Sequence, residues 1–192
     1  IPPGATRVLA AGDIGECGGA APETSEILEA VGGPFLALGD IAYPKGAPED
    51  YKECYDPYYG QFKDRTRPVP GNHDYMTDDG RPYFDYFGAT AGTQEESWYS
   101  QDIGSWHIVH LNSNCEYIGG CDENSPQYRW LEQDLVESDT ACLAAIWHHP
   151  RYSSSEYGDN DEVAPLFTAL VDAGGDFVLN GHAHFYERYP RM

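Results

Sequence analysis

Gly71-Asn72-His73-Asp74 sets an amide oxygen, an imidazole and a carboxylate side by side. The neutral Asn72 oxygen suits a hard cation. The His73 imidazole can carry a proton near neutral pH, and Asp74 is expected to accept a hydrogen bond from it and fix its orientation. A Gly-Asn pair is also an ordinary turn, so the weight lies in recurrence. Asp13 follows the apolar run Arg7-Val8-Leu9-Ala10-Ala11, and Asp40 with Tyr43 follows Phe35-Leu36-Ala37-Leu38. Asn72 and His73 follow Pro68-Val69-Pro70, His148 follows a run from Cys142 to Trp147, and His182 with His184 follows Phe177-Val178-Leu179. Ligands in open α/β sheets gather at the carboxyl ends of strands, and five runs ending in oxygen or imidazole donors are hard to explain by packing.

The donors are Asp13, Asp40, Tyr43, Asn72, His148, His182 and His184. One ion does not use that many side chains; two ions sharing a bridging carboxylate do, with positions left for water and substrate. Thiolates are absent from the set, which argues against a soft metal or an iron–sulfur cluster. A phenolate from Tyr43 favours a trivalent iron, because high charge stabilises the deprotonated phenol.

The elements that must position these donors read as follows. Arg7–Ala11 and Phe35–Leu38 are short buried strands, and Pro22–Val31 between them is a helix with Ile27, Leu28 and Val31 on one face. Pro48–Phe62 is aromatic-rich and helical, with Tyr51, Tyr55, Tyr58 and Phe62 at spacings of four, three and four. A third strand lies around Arg67-Pro68-Val69, and Tyr83–Phe87 is a short helical or irregular patch. Ser97–Ser100 and Ser105–Leu111 flank Asp102-Ile103-Gly104 and read as an antiparallel hairpin. After a long loop, Ser125 caps a helix to Glu137, with Tyr128, Leu131 and Leu135 inward. Cys142–Trp147 is a strand, Ser153–Asn160 a loop, Asp161–Ala173 a helix and Asp176–Leu179 the last strand.

The 192 residues suit one domain, and 41% hydrophobic content with 14% aromatic excludes a disordered chain. No run approaches the roughly 20 apolar residues of a membrane span, so none is expected. The chain has neither an initiator Met nor a basic-then-apolar leader, and Ile1 reads as a processed or trimmed start. A net charge of −21 repels nucleic acid and anionic lipid, and no nucleic-acid surface is expected. Phosphate substrates are repelled too, unless bound cations reverse the local field. None of the five cysteines forms a CxxC pair. Cys115 and Cys121 flank a Gly-Gly loop, Cys17 and Cys54 lie in loops after strands, and Cys142 is left over in a strand. Two disulfides and a secreted, oxidising location are the expectation.

These blocks together resemble the calcineurin-like metallophosphoesterases: Gly12-Asp13-Ile14-Gly15, Gly39-Asp40-Ile41-Ala42-Tyr43, Gly71-Asn72-His73-Asp74, His148 before Pro150, and Gly181-His182-Ala183-His184. They are most similar to the purple acid phosphatase branch, because Gly15 stands where most of the superfamily has a metal-binding His, and Tyr43 appears in the second block instead. The resemblance implies a mixed α/β (α+β) β-sandwich flanked by helices, with a dinuclear site at strand carboxyl ends. It implies that Asp13, Tyr43 and His184 hold one ion, that Asn72, His148 and His182 hold the other, and that Asp40 bridges. The ions would be Fe(III) and a divalent Fe, Zn or Mn. His73 would be a proton donor or charge stabiliser, and Asn72, His73 and His149 would face a small phosphorylated substrate. The activity implied is phosphomonoester hydrolysis by a hydroxide that the ions hold. Phosphodiesterase or nucleotidase activity, or a non-catalytic metal-binding module, are the alternatives. Plant-type members carry further histidines after the fourth block, and Ser153–Asp161 has none. The family's fold also continues past the fifth block, so residues 1–192 are expected to be one catalytic domain that is carboxyl-terminally incomplete, open to association with a missing segment.

Plainer uses exist for single residues. Asp13 and Asp40 could cap helices. His107 and His110 match no block and read as packing or surface residues. Glu187 and Arg188 could pair with each other or touch the site.

Overall fold

A computed structural model describes residues 5–191. The reading of Ile1 as a processed start lies outside the described residues, as does any segment beyond Met192. Among the described residues, seven strands form two sheets. The first is parallel and short: β1 (Leu9–Ala11), β2 (Phe35–Leu38) and β3 (Thr66–Val69), in that order. The second orders β4 (Tyr99–Ile103), β5 (Trp106–His110), β6 (Cys142–Ile146) and β7 (Phe177–Leu179), with β4 antiparallel to β5 and the rest parallel.

The pleat alternates side chains between two faces, and here both faces of each sheet are covered. Leu36 and Leu38 of β2 pack with Val69, Ile108, Ala144 and Ile146 in the layer between the sheets. Phe35 and Ala37, the alternate residues of β2, face Ala21 and Leu28 of the helix Ala21–Val31 and the tyrosines of the helical run over 48–65. On the far side, Val109, Ala145 and Trp147 meet Leu131 of the helix Pro126–Glu137 and Leu166 and Leu170 of the helix Ala164–Asp172. Burial on both faces is why β2 and β6 read as continuous apolar runs. The result is the expected sandwich of two sheets between helical layers.

Several local expectations change. On the helix Ala21–Val31, Leu28 is buried but Ile27 is 59% exposed and Val31 also reaches solvent; both line a groove beside β1. The run over 48–65 is one helical path with a π-helical turn at Tyr51–Tyr55 and a 3-10 end at Gly60–Arg65. The π turn adds a residue and rotates the phase, so the buried stripe is Tyr51, Tyr55, Tyr59 and Phe62, with Tyr58 pushed to its edge. The hairpin turns at Gly104-Ser105, leaving Ile103 in the strand, because Gly104 takes the left-handed conformation that a tight turn needs (φ 65°). The Ser125 cap forms as read, its Oγ accepting from Tyr128 N at 3.2 Å. Cys17–Cys54 and Cys115–Cys121 are disulfides, and Cys142 is free.

Candidate metal centre

The carboxyl ends of β1, β2 and β3 meet those of β6 and β7 at one edge of the sandwich. Backbone hydrogen bonds fasten the tips to one another: Asp13 N to Gly39 O (3.0 Å), Tyr43 N to Gly15 O (2.9 Å) and Gly181 N to His148 O (3.0 Å). Asp13 (φ 57°), Asp40 (φ 49°) and His182 (φ 72°) all adopt left-handed backbone. That conformation costs a non-glycine residue on the order of 1 kcal/mol or more and clusters at functional sites. A Cβ at Gly71 would overlap the Asp40 carboxylate, and one at Gly15 would overlap the Ile41 carbonyl. Position 15 therefore has no room for a histidine. Its close approach to the second loop is what brings Tyr43 inward.

All seven expected donors converge. Tyr43 Oη lies 3.2 Å from Asp13 Oδ1, 3.1 Å from Asp40 Oδ2 and 3.2 Å from His184 Nε2. His184 Nε2 is 3.4 Å from Asp13 Oδ1. On the other side, His148 Nε2 is 3.3 Å from Asp40 Oδ2, and His182 Nδ1 is 3.0 Å from Asn72 Oδ1. Ligand atoms at about 2.1 Å from one ion lie roughly 3.0–3.4 Å from each other, which is the range of these separations. Nitrogen and oxygen donors of Asp13, Asp40 and His148 fall within 4.8 Å of one another, and those of His148, His149 and His182 form a second such group.

The donor chemistry fits cations. His148 is fully buried; its Nδ1 lies 2.8 Å from the Leu38 carbonyl, which can only accept, so the ring's first proton sits there. Its Nε2 is left buried without a hydrogen bond of acceptable geometry. Asp13 and Asp40 face the same space. Burial pushes the Asp13 carboxyl up, against the pull of His148. Burial also opposes ionisation of Asp40, but the charge of His148, with the hydrogen bond from His73 N, outweighs it and brings Asp40 down to about 2. Burial and both carboxylates push the Tyr43 phenol well above its usual range. Without a cation it stays protonated; a cation among these oxygens would replace that proton. Burial, then the neighbouring His148, lowers His149 to about 3 and His182 to about 4, so both rings offer lone pairs above that range.

His73 stands apart. Its backbone N donates to Asp40 Oδ1 at 2.8 Å, its Nδ1 lies 2.6 Å from the Pro44 carbonyl, and its Nε2 faces Asp40 Oδ2 at 3.9 Å. Pro44, not Asp74, orients the ring. Asp74 is buried and accepts from Ile41 N, Gly71 N and Tyr51 Oη, tying the second loop to the third. Asp13 and Asp40 cap no helix; the residues before the helices are Ala20 and Ala47. Glu187 accepts from Ser154 N at 3.1 Å and braces a loop. His107 and His110 lie away from the cluster, His107 between Asp102 and Asp134 and His110 stacked on Tyr99.

Sequence reading missed Ser113. Its Oγ accepts from His149 N at 2.9 Å and lies 2.8 Å from His149 Nδ1, which fixes that ring. A signal was present: Asn112-Ser113-Asn114 follows the apolar end of β5, a sixth strand tip with polar residues.

A family model described as calcineurin-like phosphoesterase matches residues 6–186. Purple acid phosphatase 15 of Arabidopsis thaliana is 28% identical over 223 residues, covering 97% of this chain and 41% of that protein. Probable inactive purple acid phosphatase 9 of the same plant is 26% identical over 196 residues, covering 79% of this chain and 29% of that protein. The chain thus spans less than half the length of these curated relatives. Among solved structures, the purple acid phosphatase PPD1 from yellow lupin (Lupinus luteus) seeds superposes with a TM-score of 0.75 at 18% identity, covering 93% of this chain and 38% of that one.

Proposed function

The chain belongs to the calcineurin-like phosphoesterase family, on its purple acid phosphatase-like side, and we propose that it is a dinuclear phosphomonoesterase acting on a small phosphorylated substrate. The observation that carries this reading is the position of Asp40 Oδ2, within 3.1 Å of Tyr43 Oη and 3.3 Å of His148 Nε2. One oxygen is shared by two donor sets. Asp13, Tyr43 and His184 would hold the first ion, Asn72, His148 and His182 the second, and Asp40 would bridge them. Fe(III) suits the first set because of the phenol; Fe, Zn or Mn suits the second. When bound, the ions lower the pKa of a water and neutralise phosphoryl charge.

The chain's own groups do the rest. Asn72, His73 and His149 line the space where phosphoryl oxygens would sit. His73 has Nδ1 committed to Pro44, so Nε2 is the atom that gives a proton to the departing oxygen. The left-handed Asp13, Asp40 and His182 keep the donors fixed before substrate arrives. In this reading residues 1–192 belong to one catalytic domain. The two disulfides favour an oxidising, secreted setting.

Metal analysis, with assays on an aryl phosphate monoester and a diester, tests the proposal. Near two metals per chain and faster monoester turnover are expected, with a visible phenolate–iron band that Tyr43→Phe abolishes. Preference for the diester would move the chain to phosphodiesterase or nucleotidase chemistry. A second reading, a metal-binding module without turnover, draws on the relative named probable inactive; two bound metals with neither ester cleaved would establish it.

A further inference from the structure

Beside the cluster lies an open cleft of about 550 Å³ lined by residues 154–157 and 183–185, a size typical of small-molecule sites. On the side toward the cluster it is lined by His184, whose Nε2 is 3.4 Å from Asp13 Oδ1. Its rim carries Tyr157, 61% exposed, whose ring leans on that of His182 with centroids 4.4 Å apart. Phe185, 48% exposed, lines the same space. Exposed aromatic rings have a reason to be kept where a planar ligand meets them.

The loop that presents Tyr157 is braced. Ser155 N donates to Ser153 Oγ (3.1 Å), Tyr157 N to Ser155 Oγ (3.3 Å), Gly158 N to Ser155 O (3.1 Å) and Ser153 N to Asp159 Oδ1 (3.0 Å). Ser154 N reaches across to Glu187 Oε2 at 3.1 Å, tying the loop to the segment after β7. The ring is therefore offered in advance, and little ordering cost falls on a ligand that stacks there. Glu156 lines the cleft and Glu187 stands at its edge, and both disfavour an anionic occupant.

We propose that this cleft is the leaving-group subsite, and that Tyr157, backed by Phe185, selects phosphomonoesters whose leaving group is an uncharged aryl ring over alkyl esters. The inference rests on the phosphomonoesterase reading for the phosphoryl end of the substrate, and adds what the other end must be. Tyr157 is here a specificity-determining residue that touches the substrate's ring; it takes no part in bond breaking.

Phenylphosphonate and methylphosphonate carry a P–C bond that hydrolysis does not cut, so their binding to the metal-loaded protein reads the subsite without turnover. Calorimetry should give phenylphosphonate roughly three- to tenfold tighter than methylphosphonate, the worth of one stacked ring. Tyr157→Ala should reduce that ratio to about twofold or less, and Tyr157→Phe should restore it, because the ring face and not the hydroxyl makes the contact. An unchanged ratio in Tyr157→Ala, or a loss that Tyr157→Phe does not repair, overturns the subsite. Wild-type protein that binds both phosphonates with the Tyr157-dependent ratio yet cleaves no ester keeps the subsite and removes the enzyme reading. Failure of the loaded protein to bind either phosphonate removes both.

Discussion

The two sheets bring different chemistry to the same edge. The parallel sheet delivers oxygens: Asp13 from β1, Asp40 and Tyr43 from β2, Asn72 from β3. The mixed sheet delivers imidazoles: His148 and His149 from β6, His182 and His184 from β7. Each half has a buried centre, the Asp40 side chain 2% exposed and that of His148 0%, and the nitrogen half also runs out to an open rim, with His184 66% exposed. Two buried carboxylates aimed at one space repel each other, and the largest opposing pull on both comes from His148. His149 and His182, lowered by burial and by His148, bring no charge of their own to that space. In the proposed centre the oxygen half would depend on metal ions for its own electrostatics, whereas the nitrogen half would chiefly lend lone pairs.

Asp40→Asn should be the most damaging change on either side, because the lost charge belongs to both donor sets. Turnover should fall roughly a thousandfold or more, with metal content dropping below two per chain. His184→Ala, on the exposed rim of the nitrogen half, should weaken one ion only, by roughly a hundredfold or more in affinity, since losing even a group behind a ligand costs about ten- to a hundredfold. Equal losses in the two variants, read by metal analysis and initial rates, would erase the distinction between the halves.

His73 sharpens the comparison, since it is the one imidazole that the oxygen half supplies. If it serves the substrate and not an ion, His73→Ala should keep both metals and lose roughly a hundredfold in kcat. A variant that loses metal would make His73 a ligand; one that keeps metal and full turnover on aryl phosphates would remove it from the chemistry.

What could be read without coordinates follows the same division. Every donor sits within a few residues of an apolar run, so chain order alone exposed Asp13, Asp40, Asn72, His148 and His182. The supports were hidden because they are made by backbone or by distant loops. The Pro44 carbonyl on His73 and the Leu38 carbonyl on His148 carry no side-chain signature. Asp74 was misassigned because adjacency in sequence suggested a partner that the 3-10 turn His73–Tyr75 faces away from; its carboxylate turns inward to Ile41 N and Gly71 N. The phase slip at Tyr51–Tyr55 escaped notice since a π turn leaves the four-residue aromatic spacing locally intact.

Each half also has its own disulfide, and the difference in stabilisation should track the chain enclosed. Cys17–Cys54 joins the loop after β1 to the helical run over 48–65 across a separation of 37, while Cys115–Cys121 closes a separation of 6 beside the loop after β5. Loop-closure entropy assigns them about 4 and about 2 kcal/mol. Paired Cys→Ser variants, compared by urea midpoint, should lose stability in that order. The reverse order would mean that the small ring holds Asn112–Asn114, and with it the nitrogen half, more firmly than entropy alone accounts for.

The smallest expected effect lies within the mixed sheet, where β5 carries two histidines of opposite sign. Burial pushes His107 down, but hydrogen bonds to Asp134 and Asp102 at 2.8 Å outweigh it and leave its pKa raised above 6.5. The stability it contributes is fully present below pH 6.5 and is lost as pH rises through the raised value. His110 is fully buried, and that burial, then Arg67, lowers it to about 3 from 6.5. The unfolded chain takes up that proton first, so His110 costs stability as pH falls through this window. The two slopes oppose each other in the native protein. His107→Gln should cost about 1 kcal/mol in acid and less in base, so that between about pH 8 and about pH 5 stability falls more steeply than in the parent. Urea midpoints at the two pH values measure this. Parallel losses at both would mean that the Asp102–His107–Asp134 contact holds the hairpin to its helix as a neutral hydrogen bond, and that the acid response of the mixed sheet belongs to His110 alone.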